Sequence, residues 1–206
     1  MRQLTLVRHG LTEWNANGKF QGHSDVPLSE EGLVQAKALA QHLAAQGEAV
    51  DVVYSSPLSR ALTTAETVFP DSEIVVDERL KELNFGMFEG STQAENEAHE
   101  AWASWFADPF ARRTPQGESY QDLMVRAAAW LADVPKEANS VAFTHSGTIR
   151  MLLSHVLGLE HPTWRKRIYL APTGVSRLLF QGNEAIIERV NDTRHLDGNR
   201  LDPFED

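Results

Sequence analysis

The chain has 206 residues, 42% of them hydrophobic, which suits one large domain or two small ones with a sizeable core. A net charge of -10 argues against a general binder of nucleic acid or anionic membranes, although a local arginine cluster can still reverse the potential in one cleft. Cysteine is absent, which excludes disulfides, thiolate metal sites and a cysteine nucleophile.

No apolar run is long enough to span a membrane. Met1 is followed almost at once by a strand-like segment rather than a leader, so a cytoplasmic protein is expected. Residues 2–7 read as the first strand and run into Arg8-His9-Gly10. In an open α/β sheet, ligands sit beyond the carboxyl ends of the strands, which places Arg8 and His9 where chemistry usually happens. A histidine can be a covalent nucleophile and an adjacent guanidinium suits a phosphate. Taken alone, the pair reads equally well as a surface strand end. Residues 8–28 form a long polar loop, a length that usually signals function. Ser29-Glu30-Glu31 looks like a capped helix start, the apolar stripe Leu33, Ala36, Ala40, Leu43 continues it, and Gly47 ends it.

Val50, Val52 and Val53 mark the second strand. Ser55-Ser56-Pro57 closes it and opens a helix, with serine as the expected cap and proline in the first turn. Arg60 then lies near that strand's carboxyl end. Residues 74–76 are a short third strand, followed by a loop with two carboxylates, Glu82 and Glu89. Both are candidates for acid–base work, with helix capping the preferred reading for Glu89. Residues 92–107 and 118–134 read as two helices joined by a loop holding Arg112 and Arg113. They look like an insertion covering the site, with Trp102 and Trp105 as packing residues. A buried strand, Val141-Ala142-Phe143, ends in Thr144-His145-Ser146-Gly147, where Ser146 can cap the next helix. This repeats the opening arrangement of strand, histidine and glycine. Segments 168–170, 174–180 and 185–190 read as β, with a turn at Gly182-Asn183. The tail from His195 is expected to be ordered only in part.

Three strand ends and one loop therefore deliver Arg8 with His9, Arg60, His145 and Glu82. Two arginines, two histidines and one carboxylate suit phosphoryl transfer through histidine. The blocks that carry them resemble the histidine phosphatase superfamily, also called phosphoglycerate mutase-like. The matching pieces are Leu6-Val7-Arg8-His9-Gly10 with Thr12 and Trp14-Asn15, then Gln21-Gly22 and Leu28-Ser29-Glu30-Glu31-Gly32. They continue with Ser55-Ser56-Pro57-Leu58-Ser59-Arg60-Ala61, Glu82 with Phe85-Gly86 and Phe88-Glu89-Gly90, and Thr144-His145-Ser146-Gly147. They come in the family's order from residue 4 to about 157.

The resemblance implies an α/β fold with a mostly parallel central sheet, helices on both faces and a helical insertion over the active site. It implies one domain over 1–206, with the insertion at about 92–134. His9 would be the nucleophile that becomes phosphohistidine. Arg8, Arg60 and His145 would bind the transferring phosphoryl group, and Glu82 would protonate the leaving oxygen. Asn15 and Gln21 match positions that contact the phosphate, with Gly22 and Ser146 beside them in the substrate site. No cofactor and no metal are expected. Phosphoryl transfer is mainly positioning and electrostatic stabilisation, which guanidiniums can supply, and no HExxH or other zinc spacing is present. His9 must be neutral to attack, and the nearby arginines disfavour its imidazolium. His145 is more useful protonated, as a donor. The partner is expected to be a small phosphorylated metabolite, not a nucleic acid or membrane.

The superfamily contains hydrolases and mutases. Cofactor-dependent mutases carry a longer insertion between the acid and the second histidine, with a basic, tyrosine-bearing segment that is not found here. The insert, with Pro115-Gln116-Gly117-Glu118-Ser119, looks similar to α-ribazole phosphatases and broad-specificity phosphatases. The expected activity is hydrolysis of small phosphorylated metabolites, with α-ribazole phosphate one candidate. The alternatives are mutase-type transfer and a phosphate-binding regulatory protein of weak activity.

Overall fold

A computed structural model of the protein describes residues 2–159, 167–182 and 184–196. A six-stranded sheet in the order β3-β2-β4-β1-β5-β6 forms the centre. Four strands run parallel: β1 (Arg2–Arg8), β2 (Val52–Ser55), β3 (Ile74–Val76) and β4 (Ser140–Thr144). β5 (Val175–Gln181) and β6 (Glu184–Asp192) add antiparallel strands on the β1 side. The fold is thus the mostly parallel α/β sheet expected from the sequence.

Side chains alternate across a strand, so a central strand must be apolar on both faces. In β1, Leu4 and Leu6 enter one core, with Ala142, Leu178 and Phe180 of neighbouring strands. Val7 enters the opposite core with Val53, Val141 and Phe143. The second core is closed by α2 (Glu30–Gln46) through Leu39 and by α3 (Ser59–Val68) through Ala65 and Val68. The first is closed by α6 (Tyr120–Asp133) through Ala127, Trp130 and Leu131, and by α7 (Ser146–Val156) through Ile149, Leu152 and Leu153. A third, aromatic cluster lies beside the sheet, with Leu83, Phe85, Phe88, Trp102, Trp105, Leu123 and Met151 buried together. α6 therefore spans two cores and is part of the sheet's covering layer.

Most helix ends follow their sequence signals. Ser29 Oγ accepts from Gly32 N at the start of α2, and Gly47 ends it in the left-handed region at φ 64°. Five local expectations are corrected. The loop 8–28 contains a short helix, α1 (Glu13–Ala16), closed by a capping box on Thr12. α3 starts at Ser59 with Leu58 at its cap and no side-chain cap bond, and Pro57 stays outside the helix. α7 likewise has His145 at its cap position, and Ser146 is its first helical residue. The helix expected over 92–107 is two helices, α4 (Gln93–Asn96) and α5 (Glu100–Ala107). At the break, Asn96 Nδ2 adds a second donor to the Thr92 carbonyl, and His99 Nδ1 accepts from Ala101 N at the start of the new helix. Residues 168–170 are not a strand. Their backbone is used by side chains instead, with Ile168 O accepting from Arg150 and Leu170 O from Arg8. Gly182 has φ 60°, as a turn residue would, while Asn183 and the tail after Leu196 lie outside the described residues.

Candidate active site

β1 and β4 are adjacent, parallel and in register, with Arg8 opposite Thr144. The residues that follow, His9 and His145, must therefore emerge side by side from the same edge. Their ring centroids are 5.1 Å apart. β2 flanks β4, so Ser56 just past its end reaches His145, with Oγ 2.9 Å from Nε2. Arg60, in the first turn of α3, extends over the same edge and is fully buried. Its Nη1 donates to Ser24 O at 2.8 Å and its Nη2 to Gly22 O at 2.7 Å.

The tautomer of His9 follows from its partner. Nδ1 lies 2.7 Å from the Gly10 carbonyl, which can only accept, so Nδ1 carries the proton. The lone pair is then on Nε2. Burial lowers the His9 pKa well below its ordinary 6.5, and the charges of Arg60 and Arg8 add to the effect. Burial lowers His145 in the same way, followed by Arg60 and His9. Burial and the arginines thus disfavour the imidazolium form of both rings. Burial also takes Arg8 and Arg60 down to about 10, Arg8 further influenced by Arg150, and both stay charged at neutral pH. Arg8 Nε and Arg60 Nε are buried without a protein partner.

Glu82 lines the same cavity as His9. Its Oε1 accepts from Leu83 N at 2.9 Å and its Oε2 from Gly147 N at 3.0 Å, with Ser146 Oγ 3.4 Å away. A Cβ on Gly147 would come within 2.1 Å of Glu82 Oε1, so this position must be glycine for the carboxylate to fit. Glu89 does not cap a helix, contrary to the sequence reading. Its Oε1 accepts from His23 N and Phe85 N, and its Oε2 from Ser24 N and Ser24 Oγ. It thereby ties down the loop whose carbonyls hold Arg60.

A cavity of about 220 Å³ brings Arg8, His9, Asn15, Gln21, Gly22, Arg60, Glu82 and Ser146 together. His145 is fully buried behind it, against the His9 ring. Thr12 Oγ1 lies 3.1 Å from Asn15 Oδ1 and 3.0 Å from Gln21 Oε1. Asn15 Oδ1 also accepts from Thr12 N at 3.3 Å, so its oxygen is turned to Thr12 and its NH₂ group is left for the cavity. Lys19, Phe20, Phe85, Tyr120, Gly147 and Arg150 complete the lining and were not anticipated. Arg150 had a readable signal, since it lies one helical turn beyond Gly147. Arg112 and Arg113 stay outside: Arg112 donates to Ser104 and Arg113 pairs with Asp122. Among the described residues, no group of three or more histidine, aspartate or glutamate side chains could hold a metal ion.

Comparison with known proteins identifies the family. The profile described as histidine phosphatase superfamily (branch 1) matches residues 4–193. A protein of Escherichia coli named "Probable phosphoglycerate mutase GpmB" is 34% identical over 218 residues, covering 100% of both chains. A phosphoserine phosphatase variant from Entamoeba histolytica, solved with phosphoserine, superposes with a TM-score of 0.84 at 31% identity. The match covers 95% of this chain and 100% of that one. The same enzyme has been solved with 3-phosphoglyceric acid. The α-ribazole phosphatase from Shigella flexneri has a TM-score of 0.84 at 25% identity, covering 93% and 96%. The chain belongs to the histidine phosphatase superfamily.

Proposed function

We propose that this member of the superfamily is a phosphoric monoester hydrolase that acts on small phosphorylated metabolites through a phosphohistidine on His9. The observation that carries the reading is the His9 tautomer: a neutral imidazole, with Nδ1–H tied to Gly10 O, offers Nε2 inside a cavity lined by guanidiniums. Nε2 attacks phosphorus and the bond from phosphorus to the ester oxygen breaks. Glu82 delivers the proton that oxygen needs. Water then attacks the phosphohistidine, gives its proton to the Glu82 carboxylate, and phosphate leaves. Arg8 and Arg60 neutralise the equatorial oxygens, helped by donors from Asn15 and Gln21. His145, beside an arriving anion, gains reason to protonate and donate. No metal is required in this scheme, because the guanidiniums supply the charge. Among the described residues no helix is long and apolar enough to cross a membrane, and the reading places the enzyme in the cytoplasm with its substrates.

The lining charges favour a finer substrate class. Arg8, Lys19, Arg60 and Arg150 face one lining carboxylate, Glu82. A phosphate dianion is matched by Arg8 and Arg60. Among the described residues, neither Lys19 nor Arg150 forms an ion pair with a lining carboxylate, and Lys19 is felt only by the exposed Glu95 outside the cavity, which suits a second anionic group on the substrate, such as the carboxylate of a phosphorylated hydroxy or amino acid. The ligands of the Entamoeba structures, phosphoserine and 3-phosphoglyceric acid, are of that kind. α-Ribazole phosphate, without such a group, stands second. The test is labelling with a ³²P-substrate in the presence of chelator. The protein should take up acid-labile, base-stable label and release phosphate, and His9→Ala should do neither. Isomerised substrate without phosphate release would move the chain to the mutases, and unchanged turnover in His9→Ala would end the phosphohistidine reading.

A further inference from the structure

Glu82 is carried by a strap that has no strand or long helix to hold it. The strap leaves the short 3-10 turn Glu78–Leu80. There, Leu80 N and Lys81 N bond locally, to Asp77 O and Glu78 O. Its carbonyls are taken one after another by side chains from elsewhere. Arg79 O accepts from Arg126 Nη1 at 2.8 Å, and Leu80 O from Thr144 Oγ1 at 2.6 Å. Lys81 O accepts from Arg126 Nη1 and from Thr148 Oγ1, each at 2.7 Å. Glu82 O accepts from Arg126 Nη2 at 2.7 Å, and His23 Nε2 lies 2.9 Å from it.

Arg126 has five N–H donors and uses all of them. Three go to strap carbonyls. The other two, from Nε and Nη2, go to Glu118 Oε1 and Oε2, both at 2.9 Å. Glu118 Oε2 also accepts from Asn84 N at 2.9 Å, two residues past Glu82. The pair thus grips the chain on both sides of the carboxyl group, at Arg79 to Glu82 and at Asn84. Neither residue touches the phosphate cavity. A structural salt bridge between α6 and the segment before it would need only the two Glu118 contacts. A planar fork aimed at three carbonyls of one strap, those of Arg79, Lys81 and Glu82, does more: it sets the position of whatever the strap carries.

We propose that Arg126, oriented by Glu118, is the positioning residue for the proton donor of the reaction. The proposal rests on the reading of Glu82 as that donor. Arg126 acts through the backbone, keeping the Glu82 carboxyl at the distance where it can meet the leaving oxygen. A misplacement of order 1 Å costs about 100-fold in a positioned reaction.

The experiment is single-turnover phosphorylation of His9 by rapid quench, with p-nitrophenyl phosphate and with an alkyl phosphate. The proteins are the native enzyme, Glu82→Gln, Arg126→Lys and Glu118→Gln. Lysine keeps the charge but cannot reproduce the fork. Arg126→Lys should lose about 10- to 100-fold on the alkyl phosphate and clearly less on the nitrophenyl ester, whose leaving group needs little acid. Phosphate affinity should stay that of the native enzyme. Glu118→Gln should show the same contrast more weakly, and it serves if Arg126→Lys does not fold. Equal losses for both esters, a loss confined to phosphate binding, or no loss at all would overturn the proposal. If Glu82→Gln shows the leaving-group contrast and the Arg126 and Glu118 variants do not, this inference alone fails. If Glu82→Gln lacks the contrast, the donor assignment fails and takes this inference with it.

Discussion

His9 is a residue whose chemistry is set by what surrounds it. Burial first, then Arg60 and Arg8, keep its imidazole neutral, and burial, Arg60 and His9 do the same for His145. Neither ring should titrate in the range where an ordinary histidine does, and imidazole NMR resonances assigned by substitution will report it. The consequence for stability has a definite sign. In the unfolded chain each imidazole takes a proton near its ordinary 6.5. Below that pH the unfolded state binds more protons than the folded one, so stability falls as pH drops toward the folded values. Resonances that titrate normally would contradict the buried, neutral pair. The lining cations make a second prediction. Lys19→Ala should lower kcat/KM for phosphoserine or phosphoglycerate by about 10-fold, the worth of one charged contact, and leave glycerol phosphate nearly unaffected. Equal losses on all three would show that Lys19 serves the phosphate itself or the loop.

Elements matter here mainly through how they present backbone. The loop between α1 and α2 reaches the site because β1 ends beneath it, and it holds Arg60 by the carbonyls of Gly22 and Ser24. Two things give it that shape. Gly22 has φ 52°, and a Cβ there would come within 2.0 Å of Glu89 Oε1. Glu89 receives four hydrogen bonds that a single amide oxygen cannot. Glu89→Gln should therefore weaken phosphate binding by about 10-fold, in line with the loss of a charge-assisted hydrogen bond. The leaving-group dependence should stay native, because the proton donor is elsewhere. Titration with phosphate and the nitrophenyl-to-alkyl rate ratio separate the two effects. A changed ratio with native phosphate affinity would give Glu89 the acid role instead.

For the whole molecule, the question is whether the covering helices are a separate unit. α6 puts Ala127, Trp130 and Leu131 into the same core as Leu4 and Leu6 of β1, while Leu123 joins the aromatic cluster of Trp102 and Trp105. An element shared by two cores couples them, and we read the chain as one domain. Thermal unfolding should be a single transition, with tryptophan fluorescence and far-UV circular dichroism coincident. Trp130 is 1% exposed in the main core, so Trp130→Ala should cost about 3–5 kcal/mol and lower the melting temperature by both probes alike. Two separated transitions, or a Trp130 variant that shifts only one probe, would make the helices an independent unit.

Much of the site was legible because it is local. Arg8-His9 and Thr144-His145 end apolar strands, and a strand end in a parallel sheet already says where its next residue goes. Glu82 and Arg60 were legible from their blocks. The tertiary structure alone decided which buried donor meets which carbonyl. The fork of Arg126 grips Glu82 across 44 positions, Glu89 serves a loop 66 positions before it, and residues 168–170 give up a strand to Arg150 and Arg8. Sequence patterns report hydrophobic period and local turn chemistry, both properties of neighbouring residues. A polar side chain's partner is settled only when packing brings distant backbone within about 3 Å and burial leaves it no water to choose instead.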